Sequence, residues 1–93
     1  MNVEIITPEE QLFAGEAEAI QLPGKDGLFQ ILDNHAPIIA TLSAGTVKID
    51  LTKAFQREDS TPEQLRSNGT VLQLDIQRGV IEMSGNKAIV LVN

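Results

Sequence analysis

No cysteine occurs anywhere in the 93 residues, and tryptophan and tyrosine are missing as well. Without thiols the chain forms neither a disulfide framework nor a thiolate metal site, so its fold rests on burial and hydrogen bonding. Three phenylalanines are the whole aromatic complement, which leaves little for the aromatic platforms that small-ligand and carbohydrate sites favour. Histidine is represented once, by His35. A lone imidazole beside Asp33 in a turn is not a Ser-His triad, and a structural zinc site needs about four nitrogen or sulfur ligands. The acids have no D-x-D-x-D-G spacing for a hard cation. Gly24-Lys25 does not end a phosphate loop, because Ala19 stands where the first glycine belongs and Asp26 follows the lysine. Basic residues are also few. Seven Lys and Arg against thirteen Asp and Glu give a net charge of −6, the wrong balance for a nucleic-acid binder or an anionic membrane surface. No apolar run approaches the roughly 20 residues of a membrane-spanning helix, and the first residues lack the basic-then-apolar pattern of a secretory signal. These absences predict no catalytic residue, no metal and no cofactor.

What remains is short, alternating and punctuated by turns. Asn2 to Thr7 sets Val3 and Ile5 against Asn2 and Glu4, and Pro8-Glu9-Glu10 breaks it. Leu12-Phe13 is a short apolar step ended by Gly15. In Glu16 to Leu22 the apolar phase shifts at Ile20, as a bulge or a two-faced strand would require. Ile38 to Leu42 is apolar on both faces. Thr46 to Leu51 alternates cleanly, and Leu72, Leu74 and Ile76 repeat the pattern. Val80–Ser84 and Ala88–Val92 flank a Gly85-Asn86-Lys87 hairpin loop. The last of these strands has no polar face, so it is either central in a sandwich or covered by a partner. At least seven short strands without a long helical period predict one all-β domain over residues 1–93, with a core only just large enough to hold it folded. The compositional break is Thr52 to Gly69, a polar inserted segment. Its Thr61-Pro62-Glu63-Gln64 is a capping-box signature, which predicts a short helix near residues 61–67, stopped by Asn68-Gly69. Such a short helix needs Phe55 or Leu65 packed on the sandwich.

The densest stretch is Pro23 to Pro37, PGKDGLFQILDNHAP. Pro23-Gly24 and Asp26-Gly27 are turn signals, Leu28 to Leu32 reads as a strand, and Asp33-Asn34 is another turn. Taken with Ile6 to Gly45 as a whole and with Gly79 to Asn93 (GVIEMSGNKAIVLVN), this block resembles the amino-terminal domain of the epsilon subunit of F-type ATP synthases, called delta in mitochondria. The pattern carried is a "TP…LF.G" opening, a "G..G.FG.L.GHAP" block and a "GG..EV..N.V.VL.." ending. More than half of the chain matches, in the right order.

The resemblance implies a flattened, ten-stranded two-sheet sandwich in a non-catalytic rotor subunit, which links the gamma subunit to the c-ring and helps couple proton or sodium flow to ATP synthesis. Carried over by position, the ring-facing edge is Gly24, Lys25, Asp26, Gly27, Leu28 and Phe29, with Asp33, Asn34 and His35 alongside. The gamma-facing positions are Thr7, Ala36, Pro37, Ile38, Ile39 and Ala40, plus Arg78 and Gly79. The chain departs from the family at Asp33-Asn34 (commonly Pro-Gly), at Leu28 and Gln30, and at Arg78, where a glycine is usual. The two-helix hairpin that follows this domain in many relatives is not in the sequence; if the chain is whole, no nucleotide binding and no hairpin-mediated inhibition are expected, and for a piece of a longer protein that expectation lapses. The starting Met without a transit peptide implies the cytoplasmic face of a bacterial inner membrane, peripherally held. The alternative is a free-standing β-sandwich that binds a small ligand or carbohydrate.

Overall fold

In the computed structural model, which describes residues 1–93, strand β2 (Gln11–Gly24) runs for 14 residues and belongs to both layers of the molecule. Its first half pairs antiparallel with β1 (Asn2–Ile6), setting Gly15 opposite Val3 and Phe13 opposite Ile5. Its second half lies between β3 (Gly27–Leu32) and β5 (Gly45–Leu51). The register slips between Ala17 and Ala19, so Glu18 is exposed while both alanines are buried. This is a bulge, one of the two readings that the phase shift at Ile20 left open, and it turns the strand from one layer into the other.

The first layer continues from β1 through β9 (Lys87–Val92) and β8 (Gly79–Ser84) to β4 (Ile38–Leu42). The β1–β9 pair is parallel, the β9–β8 and β8–β4 pairs antiparallel. Gly24, at the far end of β2, meets Leu42 of β4, so β1, β9, β8, β4 and β2 close a ring of hydrogen-bonded neighbours. The second layer runs β3, β2, β5, β7 (Val71–Ile76) and β6 (Arg66–Asn68). Between the layers lies an apolar core to which β1 gives Val3 and Ile5, β5 gives Val47, Ile49 and Leu51, and β9 gives Ala88, Val90 and Val92. Nothing polar is buried in it, so hydrogen bonding is confined to the sheets and turns.

The all-β sandwich is as the sequence predicts, with three differences of detail. There are nine strands, not ten. Gly15 does not end a strand: β1 pairing carries the backbone straight through it, and the missing side chain leaves room for the Phe13 ring, whose Cζ would lie 2.7 Å from a Cβ there. The helix near 61–67 is absent. Thr61 turns back to Glu58, its Oγ1 accepting from the Glu58 amide at 2.9 Å, instead of capping toward Gln64. Arg66 to Asn68 is instead drawn into extended pairing with β7, Arg66 opposite Gln73 and Asn68 opposite Val71. Ladder bonds and burial of Leu65 outweigh the local helix signal, because helix nucleation is costly for so few residues. Phe55 and Leu65 do pack on the sandwich. Phe55 lies 6.2 Å from the Phe13 ring in a tilted pair, Leu65 is 2% exposed, and the Arg57 guanidinium donates to the Leu65 carbonyl. The polar segment is thus a strap anchored by two apolar residues.

Two substitutions test this packing in urea unfolding. Leu65→Ala should cost about 2–5 kcal/mol, a loss that a loosely attached segment would not show. Gly79→Ala should cost about 1–3 kcal/mol by overpacking, because a Cβ there would lie 2.4 Å from the Leu91 carbonyl oxygen.

Candidate interaction surfaces

Alternation along β4, β8, β9 and β1 turns one set of side chains inward and the other outward. The cross-strand register assembles the outward set into rows. Thr41 faces Val80, Val80 faces Leu91, and Leu91 faces Ile6. In the neighbouring row Ile39 faces Glu82, Glu82 faces Ile89, and Ile89 faces Glu4. Ile39 is 73% exposed, Leu91 48% and Val80 37%. An outer face bearing this much apolar surface is not what water alone favours. Near Thr7, Gly79 and Val92 the face dips into an open groove of about 620 Å³. Of the positions expected to meet the gamma subunit, Thr7, Arg78 and Gly79 line this groove, and Ile39 stands on the same face. Ile38 and Ala40 do not join them: they alternate to the other side and pack against the core. Ala36 and Pro37 are exposed in the turn before β4. Sequence reasoning missed Ile6, Thr41, Val80 and Leu91. The one available signal was the absence of a polar face on β9, but only the register shows that Leu91 lies beside Val80.

The residues expected at the ring fall into two groups at the two ends of β3. Gly24 to Gly27 form the β2–β3 hairpin, with Gly24 opposite Gly27 and Lys25-Asp26 exposed between them. Gly27 has φ +120°, a value for which glycine is strongly favoured. Leu28 is 66% exposed, whereas Phe29 turns toward the core. Asp33, Asn34 and His35 lie beyond Leu32, about 20 Å away at the rise of an extended strand.

That second group is held by contacts far away in sequence. Asn34 takes φ 65° and its amide donates to Asn86 Oδ1 at 2.8 Å, while Asn86 Nδ2 donates to Asp33 Oδ1 at 3.3 Å. The Met1 amino group donates to the Ala17 carbonyl at 2.9 Å and pairs with the Asp33 carboxylate. The hydrogen bond from the Met1 amino group, then that from Asn86, hold the Asp33 carboxyl below its ordinary value of 3.8. His35 is a turn residue: its amide donates to the Leu32 carbonyl at 3.1 Å and its ring Nδ1 lies 2.7 Å from the Ala36 carbonyl, as a protonated Nδ1 would. On the second layer, hydrogen bonds from Arg66 and then Thr46 likewise lower the carboxyl pKa of Asp75.

No three His, Asp or Glu side chains converge as a metal site would need, and His35 meets a carbonyl where a nucleophile would have to be. The fold is a small all-β sandwich with an open, largely apolar groove on one outer face. The family model for the ATP synthase delta/epsilon chain beta-sandwich domain matches residues 1–93. The chain belongs to that family and is a non-catalytic type of subunit. It is 39% identical over 90 residues to the ATP synthase epsilon chain of Chlorobium limicola, covering 97% of this chain and 85% of that one. Against the epsilon chain of Leptospira borgpetersenii the figures are 31% over 93 residues, 100% of this chain and 61% of the relative. Among solved structures, the central stalk and c-ring of the Tetrahymena thermophila mitochondrial ATP synthase contains a chain with a TM-score of 0.71 at 17% identity, covering 99% of this chain and 62% of that one. A chain of the Euglena gracilis mitochondrial ATP synthase gives 0.72 at 13%, covering 97% and 48%. At such identities the structural likeness speaks for the fold.

The depressed carboxyl pKa values make a pH prediction. A carboxylate whose pKa is lowered by folding stabilises the fold above its unfolded value, and that contribution fades as pH falls through the folded one. Asp33→Asn and Asp75→Asn should each lower the urea midpoint at neutral pH, and the gap from the parent should close below about pH 3.8. A gap that stays constant down to pH 2 would show that neither charge matters.

Proposed function

We propose that this chain is a rotor subunit of an F-type ATP synthase, holding the gamma subunit to the c-ring without doing chemistry itself. The observation that carries this is the exposed apolar face of the first layer. Ile39, Val80, Leu91 and Ile6 form a patch of the composition that protein interfaces bury at their centres, and it is the surface we assign to gamma. The Gly24–Phe29 hairpin projects from one end of the sandwich. Its exposed backbone turn, with Lys25, Asp26 and Leu28, suits polar ring loops, and we assign the ring contact to this end alone. Asp33, Asn34 and His35, at the other end of β3, then lie away from the ring. In a bacterium these contacts would hold the chain peripherally at the cytoplasmic face of the inner membrane. Membership of the family and the epsilon-chain relatives support the reading.

Calorimetric titration with the purified gamma subunit of the same complex tests it. One-to-one binding is expected, lost in Leu91→Asp while the circular dichroism spectrum and melting temperature of the variant stay near the parent's. Leu28→Asp should leave that binding unchanged and weaken attachment only when the c-ring is present. Binding that survives Leu91→Asp would remove gamma from this face.

A further inference from the structure

Arg78 has the one charged side chain lining the groove; the other side chains there are apolar, hydroxyl-bearing or amide. It sits in the turn between β7 and β8, exposed, and makes no ion pair. Its direction is nevertheless set. With the Asn93 amide oriented to satisfy both groups, the Asn93 oxygen accepts from Arg78 Nε at 2.7 Å and from Nη2 at 3.2 Å. A guanidinium has five N–H donors in a rigid fork, so most remain free after Asn93 has taken its share. The groove floor beside it is Gly79, whose hydrogen atom is all that fits against the Leu91 carbonyl. A cation at the edge of an otherwise uncharged, largely apolar groove is the arrangement that recognises a carboxylate on an otherwise apolar segment.

We infer that the segment of the gamma subunit seated in this groove is apolar and carries an acidic side chain that pairs with Arg78. The inference rests on the assignment of gamma to this face and adds the chemistry of the contact. Charge on the same face gives it a direction. Glu82 lies in the neighbouring row, opposite Ile39, so an acid placed there would be repelled, whereas one placed at Arg78 is attracted. The two residues therefore select one orientation of the incoming segment. The chain as a whole carries a net charge of −6, which makes an acid-accepting site a local exception and general charge attraction a poor alternative explanation.

The test is affinity for purified gamma, measured for the parent, Arg78→Gln, Arg78→Glu and Leu91→Asp over a range of sodium chloride concentrations. Arg78→Glu should weaken binding by about thirtyfold or more and Arg78→Gln by less, as expected for loss and reversal of a charge pair at an interface. Salt should weaken the parent more than Arg78→Gln. An acid-to-lysine scan of gamma should find one position that restores binding to Arg78→Glu. Because Arg78 is exposed, both variants should melt at the parent's temperature. Loss of binding in Leu91→Asp with none in Arg78→Glu would leave gamma on this face and overturn the ion pair. An unchanged affinity in both variants would overturn the face assignment itself. Weakened binding in Arg78→Glu that no gamma lysine restores would mean that the guanidinium meets something other than a carboxylate.

Discussion

Hydrogen bonding of β2 to different partners along its length, β1 through its first half and β3 and β5 through its second, is the constraint from which the other features follow. A strand can change layers only if its backbone bends without leaving polar groups unpaired in the core. The bulge at Glu18 does this by putting the extra residue into water and keeping Ala17 and Ala19 inside. Once β2 is bent, its far end reaches β4 through Gly24 and Leu42 and closes the first layer on itself. A small domain without disulfides gains cooperativity from such closure, since few strand edges are left free to fray.

Closure also decides which apolar side chains stay outside. The inward positions of β4, β8, β9 and β1 fill the available core, leaving Ile39, Val80, Leu91 and Ile6 on the far side of the same strands. A free-standing domain would more often put polar residues there. In the proposed role the apolar face would serve association instead of folding, and Arg78, held by Asn93 at the groove, would give the contact a chemical preference. Association of this kind buries surface already organised by the sheet, so little conformational entropy is lost in the partner's seat.

Functional surfaces on a sandwich are sorted by its ends and faces, not by proximity in sequence. Gly27 and Asp33 are six residues apart, yet they lie at opposite ends of strand β3. Asp33 is instead neighbour to Asn86 and Met1, which arrive by way of the β8–β9 hairpin and the start of β1. Thr7 and Arg78, distant in sequence, share one groove.

Local chemistry was enough to make the chain all-β and to locate most of its strands, because period-two alternation depends only on which residues can share a face. It was enough, too, to flag the break in β2, where the alternation changes phase. Family motifs supplied the expected partners, which these patterns alone could not. Three matters were decided only in three dimensions. The segment around Pro62 became a turn and a strand because pairing with β7 and burial of Leu65 outweigh a helix signal spread over a few residues. The exposed patch depends on cross-strand register, which brings Thr41, Val80, Leu91 and Ile6 into one row from four separate strands. The division of the expected ring contacts depends on the length and direction of β3, a property of the extended backbone that a list of neighbouring residues does not contain.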